Sequence, residues 1–153
     1  MMNEAHFHII INHFPIILPI VGFTILMIGF ILKAELVKRI SYGILVVSAI
    51  MTYVTMNSGK GAEEIIEELG RSHDAIHIHE KFAETFAILS YLLGLLSIIA
   101  FWLNWKKHPF KNLSMFLVIG ISMLVIYLAF GTGKSGGEIS HEEIKSSVSV
   151  EKD

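Results

Sequence analysis

Polar and apolar positions along this chain separate by segment rather than by short period. Four windows contain no Asp, Glu, Lys or Arg: 5–32, 40–59, 85–105 and 112–133. A helix crosses a hydrocarbon layer of about 30 Å with about 20 apolar residues, and every window reaches that length. Each therefore predicts a membrane span, over about 12–32, 40–56, 82–105 and 113–130. Pro15 and Pro19 fall near the start of the first span, where a proline sits in a first turn or adds a slight kink. Ser58-Gly59-Lys60-Gly61 predicts the end of the second span, and the glycines from Gly131 to Gly137 the end of the fourth. His108-Pro109 marks the turn after the third. Short connections make each pair of spans an antiparallel hairpin. The expected fold is an all-α membrane protein: four transmembrane helices in an up-down bundle over 1–137, with a polar tail over 138–153.

The two hairpins look like duplicates. His6-Phe7-His8 precedes the first span, and His77-Ile78-His79 holds the same place before the third. Gly59-Lys60-Gly61 closes the second, and Gly133-Lys134-Ser135-Gly136 closes the fourth at a nearly equal offset. Copies of two spans each share one orientation and relate through an axis along the membrane normal.

Charge sets the expected orientation. The connections 33–39 and 104–112 total +5, and the remaining polar segments carry six bases against thirteen acids, or −7. Basic short loops stay on the cytoplasmic side. Both termini and the 60–84 stretch are then extracytoplasmic in a bacterial inner membrane. The first window has no preceding Lys or Arg and is too long for a signal core, so it reads as a retained span. Composition agrees: 53% of residues are apolar and the mean hydropathy is +0.61. The absence of cysteine excludes disulfides, thiolate metal sites, iron–sulfur clusters and covalently attached haem. A net charge of −2 argues against nucleic acid as a partner.

Eight histidines are the remaining chemical resource, and seven of them (all but His108) fall on the predicted outer side. His6, His73 and His77 read as an interfacial belt, and His108 as a turn residue. His13 opens an apolar run beside Asn12, where a polar side chain turns into the bundle. His79 holds the comparable place before the third span, followed by Glu80. Spans one and three are diagonal in an up-down bundle, so two inward imidazoles there can hold a b-type haem. Glu80 and Asn12 are the candidate supporting groups around the ligands. His8 stands five positions before His13, about 140° away on a continuous helix, and ranks behind it. His73, His77, Glu80 and Glu84 share a face that suits zinc or copper. The chain has no H-E-x-x-H, no argued Ser-His-Asp set and no P-loop spacing.

The run His8-Ile9-Ile10-Ile11-Asn12-His13-Phe14-Pro15-Ile16 resembles the H-P-x-x-V-H-F-P-I opening of a bacterial membrane-protein family catalogued as domain of unknown function 2231. The similarity continues through Thr55–Glu63, His79-Glu80 and Thr132–His141, the last resembling a T-G-x-x-G-G…H ending, with Ile9 in place of the usual first proline. It covers nearly the whole chain. The resemblance selects His8, His13, His79 and His141 from the eight histidines. Fusion of some such proteins to c-type cytochrome domains implies electron-transfer company.

The expected function is a b-type cytochrome-like membrane subunit for electron transfer. It holds one haem between His13 and His79, or two if His8 and His141 also ligate. Such a subunit is a redox carrier rather than a stand-alone enzyme. Its expected partners are the lipid bilayer, a c-type cytochrome or larger respiratory complex, and further copies of the chain. The alternative is a structural or transport subunit whose histidines bind a metal ion or lie at the interface.

Overall fold

A computed structural model describes residues 4–68 and 73–140, with side chains for 7–8, 10–59 and 76–137. His141 lies outside the described residues, as do the side chains of His6 and His73. Five helices follow in order: α1 (Glu4–Ile11), α2 (His13–Ile31), α3 (Glu35–Glu68), α4 (His73–Trp105) and α5 (Lys111–Ser140). Four of them, α2 to α5, are long and apolar enough to cross a membrane, as expected.

The first span is preceded by a break. Pro15 has no N–H for the Ile11 carbonyl, and its ring crowds that carbonyl. The helix is interrupted at Asn12, although Asn12 keeps helical dihedrals (φ −63°, ψ −17°) and its N–H still donates to the His8 carbonyl at 2.9 Å. The Thr55 hydroxyl of α3 approaches the stranded Ile11 carbonyl at 3.5 Å. A long contact of this kind partly replaces the missing donor.

The helix ends differ from expectation. Glycines were expected to end the second and fourth spans, yet α3 runs through Gly59 and Gly61 to Glu68, and α5 through Gly131 to Gly137 to Ser140. A broken helix exposes backbone polar groups that lipid cannot satisfy. Here glycine supplies closeness instead. A methyl on Gly59 would meet His8 at 3.4 Å, on Gly131 the Phe82 ring at 3.2 Å, and on Gly136 the His79 ring at 3.1 Å.

The four long helices pack in a ring: α2 on α3, α3 on α4, α4 on α5, and α5 back on α2. This leaves α2 diagonal to α4. Buried positions recur at alternating steps of three and four, the seam of a left-handed bundle. On α4 they are Phe86, Ser90, Leu93, Ser97, Ala100 and Asn104; on α5 they are Val118, Ser122, Val125 and Ala129. Small residues bring helices together: a methyl on Gly22 would lie 2.6 Å from Leu45, and one on Gly94 2.5 Å from the Ala49 Cβ. Gly120 faces no neighbour within 4 Å. The outer surface is apolar, with Ile50, Leu95, Leu124 and Tyr127 exposed, so lipid is the surrounding solvent.

The bundle has two chemically different ends. At the lysine end, both connections turn on a left-handed lysine, Lys33 and Lys107, each with φ 52°. Glu35 clamps the two hairpins there. It accepts from Asn104 Nδ2 of α4, from Lys111 Nζ of α5 at 3.2 Å and from Lys38 Nζ at 3.4 Å. His108 sits in the second connection, its Nδ1 accepting from the Phe110 N–H at 3.3 Å and its ring beside Trp102 and Phe110. The opposite end carries the remaining described histidines.

Candidate functional site

At the histidine end, two imidazoles are anchored in the same way. His8 of α1 places Nδ1 2.9 Å from Ser58 Oγ of α3, and Ser58 Oγ donates to the Thr55 carbonyl at 2.9 Å. His79 of α4 places Nδ1 3.0 Å from Ser135 Oγ of α5, and Ser135 Oγ donates to the Thr132 carbonyl at 3.0 Å. With each serine's proton on a carbonyl, each Nδ1 is assigned as the donor to its serine. That assignment leaves the lone pair on Nε2. A neutral imidazole with Nδ1–H tied down and an unprotonated Nε2 is the form that ligates a metal.

The anchor has a sequence signature that the two glycine-lysine motifs obscured. Thr55-Met56-Asn57-Ser58-Gly59 and Thr132-Gly133-Lys134-Ser135-Gly136 both read T-x-x-S-G, a different register from the one the glycines suggest. Serine three residues after threonine reaches back to its carbonyl on one helical turn. Glycine beside the serine lets the imidazole lie against the backbone. Together with the two H-x-H segments, this repeat pairs His8, not His13, with His79.

The structure places His13 differently from His8 and His79. Its side chain is exposed rather than turned into the bundle. The reason is the phase of the first span. Pro15, Pro19, Gly22 and Leu26 face inward, and His13 precedes Pro15 by two residues, about 200° around the helix. His8 lies in α1, beyond the interruption at Asn12, and is the one half-buried against α3. Asn12 makes no side-chain cap at the start of α2. Glu80 is not the partner of the His79 Nδ1. The Nδ1 of His79 goes to Ser135, and Glu80 Oε2 stands 3.5 Å from His77 Nδ1 in an exposed pair.

Electrostatics tie the pair together. Burial holds the His8 pKa below the ordinary imidazole value of 6.5, a positive charge on His79 would lower it further, and the Thr55 backbone hydrogen bond opposes both. His8 and His79 thus lie within electrostatic reach of each other, on elements that continue into diagonal helices. Among the described residues, no group of three His, Cys, Asp or Glu comes together. The zinc or copper face expected around His77, Glu80 and Glu84 is therefore not assembled among them; His73 has no described side chain. No protein-family model, curated protein or solved structure matches the chain.

Proposed function

We propose that this membrane protein is a b-type cytochrome-like subunit in which His8 and His79 hold one haem at the histidine end of the bundle. One observation carries the reading: two imidazoles, on the segments that open the first and third spans, bear the same serine–carbonyl anchor at Nδ1. The donor set fits the group. A bare divalent ion needs three or four protein donors, whereas iron in a porphyrin needs only the two axial ones. When bound, haem supplies one-electron chemistry between an electron donor such as quinol and a partner complex. The chain's own residues hold and orient it. Ser58 and Ser135 fix the tautomer and ring direction, and Gly59 and Gly136 keep side chains off the imidazole faces. Exposed Lys134 offers a cation at the same end for a propionate. The −7 charge of the segments beyond the spans supports an extracytoplasmic position for this end in a bacterial inner membrane.

A reduced-minus-oxidised visible spectrum of the purified protein tests the assignment. Low-spin bands are expected in the unaltered protein. They should be lost or turned high-spin in His8→Ala and His79→Ala, and kept in His13→Ala and His108→Ala. A protein that stays colourless after expression with haem supplied, or one whose spectrum depends on His13 and not on His8, overturns it.

A further inference from the structure

The interior of this bundle contains many buried hydroxyls, and their placement is periodic. On α3, Ser41, Ser48 and Thr55 stand at every seventh position; on α4, Ser90, Ser97 and Asn104 do the same. Ser41, Ser97 and Ser122 are 0% exposed, Ser48 and Thr52 1%, and Ser90 2%. They alternate along the seam with the apolar core residues Leu45, Leu93, Ala100, Val118 and Val125. Thus hydroxyls from three helices line the inside rather than the lipid face.

Most of these hydroxyls have no protein partner among the described residues. Ser48, Ser90, Ser97 and Ser122 Oγ, the Tyr42 hydroxyl and Asn104 Oδ1 are all buried without one. A serine in a membrane helix usually returns its proton to the carbonyl four residues back, as Thr52 does to Ser48 at 3.0 Å. The unpaired ones do not. An unsatisfied polar atom in an apolar interior is costly, and five hydroxyls and one amide oxygen left so call for a shared polar occupant.

Their heights form a ladder. Glu35 touches both Asn104 and Lys111, which sets the three helices to a common zero. At about 1.5 Å per residue, Ser41, Tyr42 and Ser97 lie about 9 to 11 Å above it. Ser122 follows at about 16 Å, Ser48 and Ser90 at about 20 Å, and Thr52 at about 26 Å. Successive rungs therefore differ in height by about 4 to 7 Å. The lowest rung stands about two helical turns above Glu35 on α3. The top rung, Thr52, is one turn below Thr55.

We propose that this seam holds a file of bound water and hydroxyls that carries protons between Glu35 at the lysine end and the histidine end of the bundle. Each unpaired hydroxyl takes a proton on its oxygen from one neighbour and releases its own to the next, and Ser41 and Thr52, whose protons rest on the Gly22 and Ser48 carbonyls, turn to do the same, so the file conducts without any serine changing charge. Glu35 supplies the exchangeable site where the file meets water. The competing role for buried serines is tight helix packing, which needs their size and not their hydroxyl. Alanine separates the two, since it keeps the size. The inference does not rest on haem, because the flux is read whether or not a low-spin spectrum is present.

The test is proton flux into phosphatidylcholine–phosphatidylglycerol liposomes containing the full chain, driven by a valinomycin-set potassium potential and read with an internal pH dye. Flux well above that of protein-free liposomes is expected. Ser48→Ala and Ser97→Ala should each lower it tenfold or more with helicity and elution volume unchanged. Ser97→Thr, which restores a hydroxyl, should recover most of it, and Thr85→Ala, an exposed hydroxyl bonded to Lys81, should leave it alone. Flux no higher than that of empty liposomes overturns the proposal. So does flux that is the same in Ser48→Ala and Ser97→Ala as in the unaltered chain.

Discussion

Lys33 and Lys107 occupy one and the same turn in the two hairpins, with the same φ of 52°. Around each, the hydrogen bonds repeat: Lys33 N–H to Phe30 O at 3.2 Å and Ala34 N–H to Gly29 O at 2.9 Å, then Lys107 N–H to Asn104 O at 3.2 Å and His108 N–H to Leu103 O at 2.9 Å. Counted from this fixed point, His79 lies three positions farther back than His8, and Thr132 three positions farther forward than Thr55. Both arms of the second hairpin are longer by the same amount, so its histidine and threonine still meet. Equal lengthening of both arms is what a duplicated hairpin needs to keep its anchor. The expected duplication is thus supported by registers that the short glycine motifs alone did not reveal.

A left-handed conformation is strained for lysine and free for glycine. Replacing the exposed Lys107 by Gly should therefore stabilise the protein by about 1 kcal/mol. Urea unfolding in detergent, followed by helical circular dichroism, measures this. A decrease in the midpoint would mean that the lysine side chain contributes more than its backbone strain removes.

The contact between α3 and α4 depends on one missing methyl. A Cβ on Gly94 would lie 2.5 Å from that of Ala49, and neither atom can rotate away. Gly94→Ala should destabilise the bundle by about 1–3 kcal/mol, the usual range for overpacking. Adding Ala49→Gly should recover a large part of the loss. The readout is thermal unfolding of the two single variants and the double variant, and non-additivity is the expected signature.

His8 makes stability depend on pH in a definite direction. Its folded pKa is lowered, so the unfolded chain binds the extra proton more readily. The contribution is fully present above the ordinary value of 6.5 and is lost as pH falls from there through the lowered value. Unfolding midpoints should be flat between about pH 7 and 8 and fall on acidification, and His8→Gln should flatten that fall.

The serine anchors should matter less than the imidazoles but visibly. Ser135→Ala removes the acceptor of the His79 Nδ1–H and leaves the ring in place. Haem affinity should fall about 10- to 100-fold, the usual effect of losing a ligand's orienting partner. Titration of the haem-free protein with hemin measures it, with Thr85→Ala as the unaffected reference.

The four spans and their order were legible because lipid forbids charge over a whole helix, a rule that acts on long windows. The helix ends were not. Glycine ends helices in water, but beside His8 and His79 it is needed for close approach inside a continuing helix. Depth alone favours His13, and rotation counted on an unbroken helix sets His8 behind it; the inward row from Pro15 to Leu26 leaves His13 outside. The T-x-x-S-G repeat was the available signal, since it requires a hydroxyl partner for the histidine that the H-x-H repeat already paired with His79. The hydroxyls at Ser41, Ser48, Ser90 and Ser97 sat in plain view at sevenfold spacing, but serine carries no charge and so does not interrupt a span.

The interruption at Asn12 also orders events in time. An isolated helix as short as the eight residues of α1 does not hold itself together in water. Its helical state therefore depends on what it reaches, and the described anchors are His8 on Ser58 and the buried Ile11, whose carbonyl Thr55 approaches. The four spans can enter the membrane and close around each other while this first segment is still unfolded. Half of the histidine pair is then supplied last, by the least self-sufficient part of the chain. If the proposed haem binds between the two imidazoles, it also completes the fold of the amino-terminal segment, and occupancy should register as amide protection over 5–11 before it registers anywhere else.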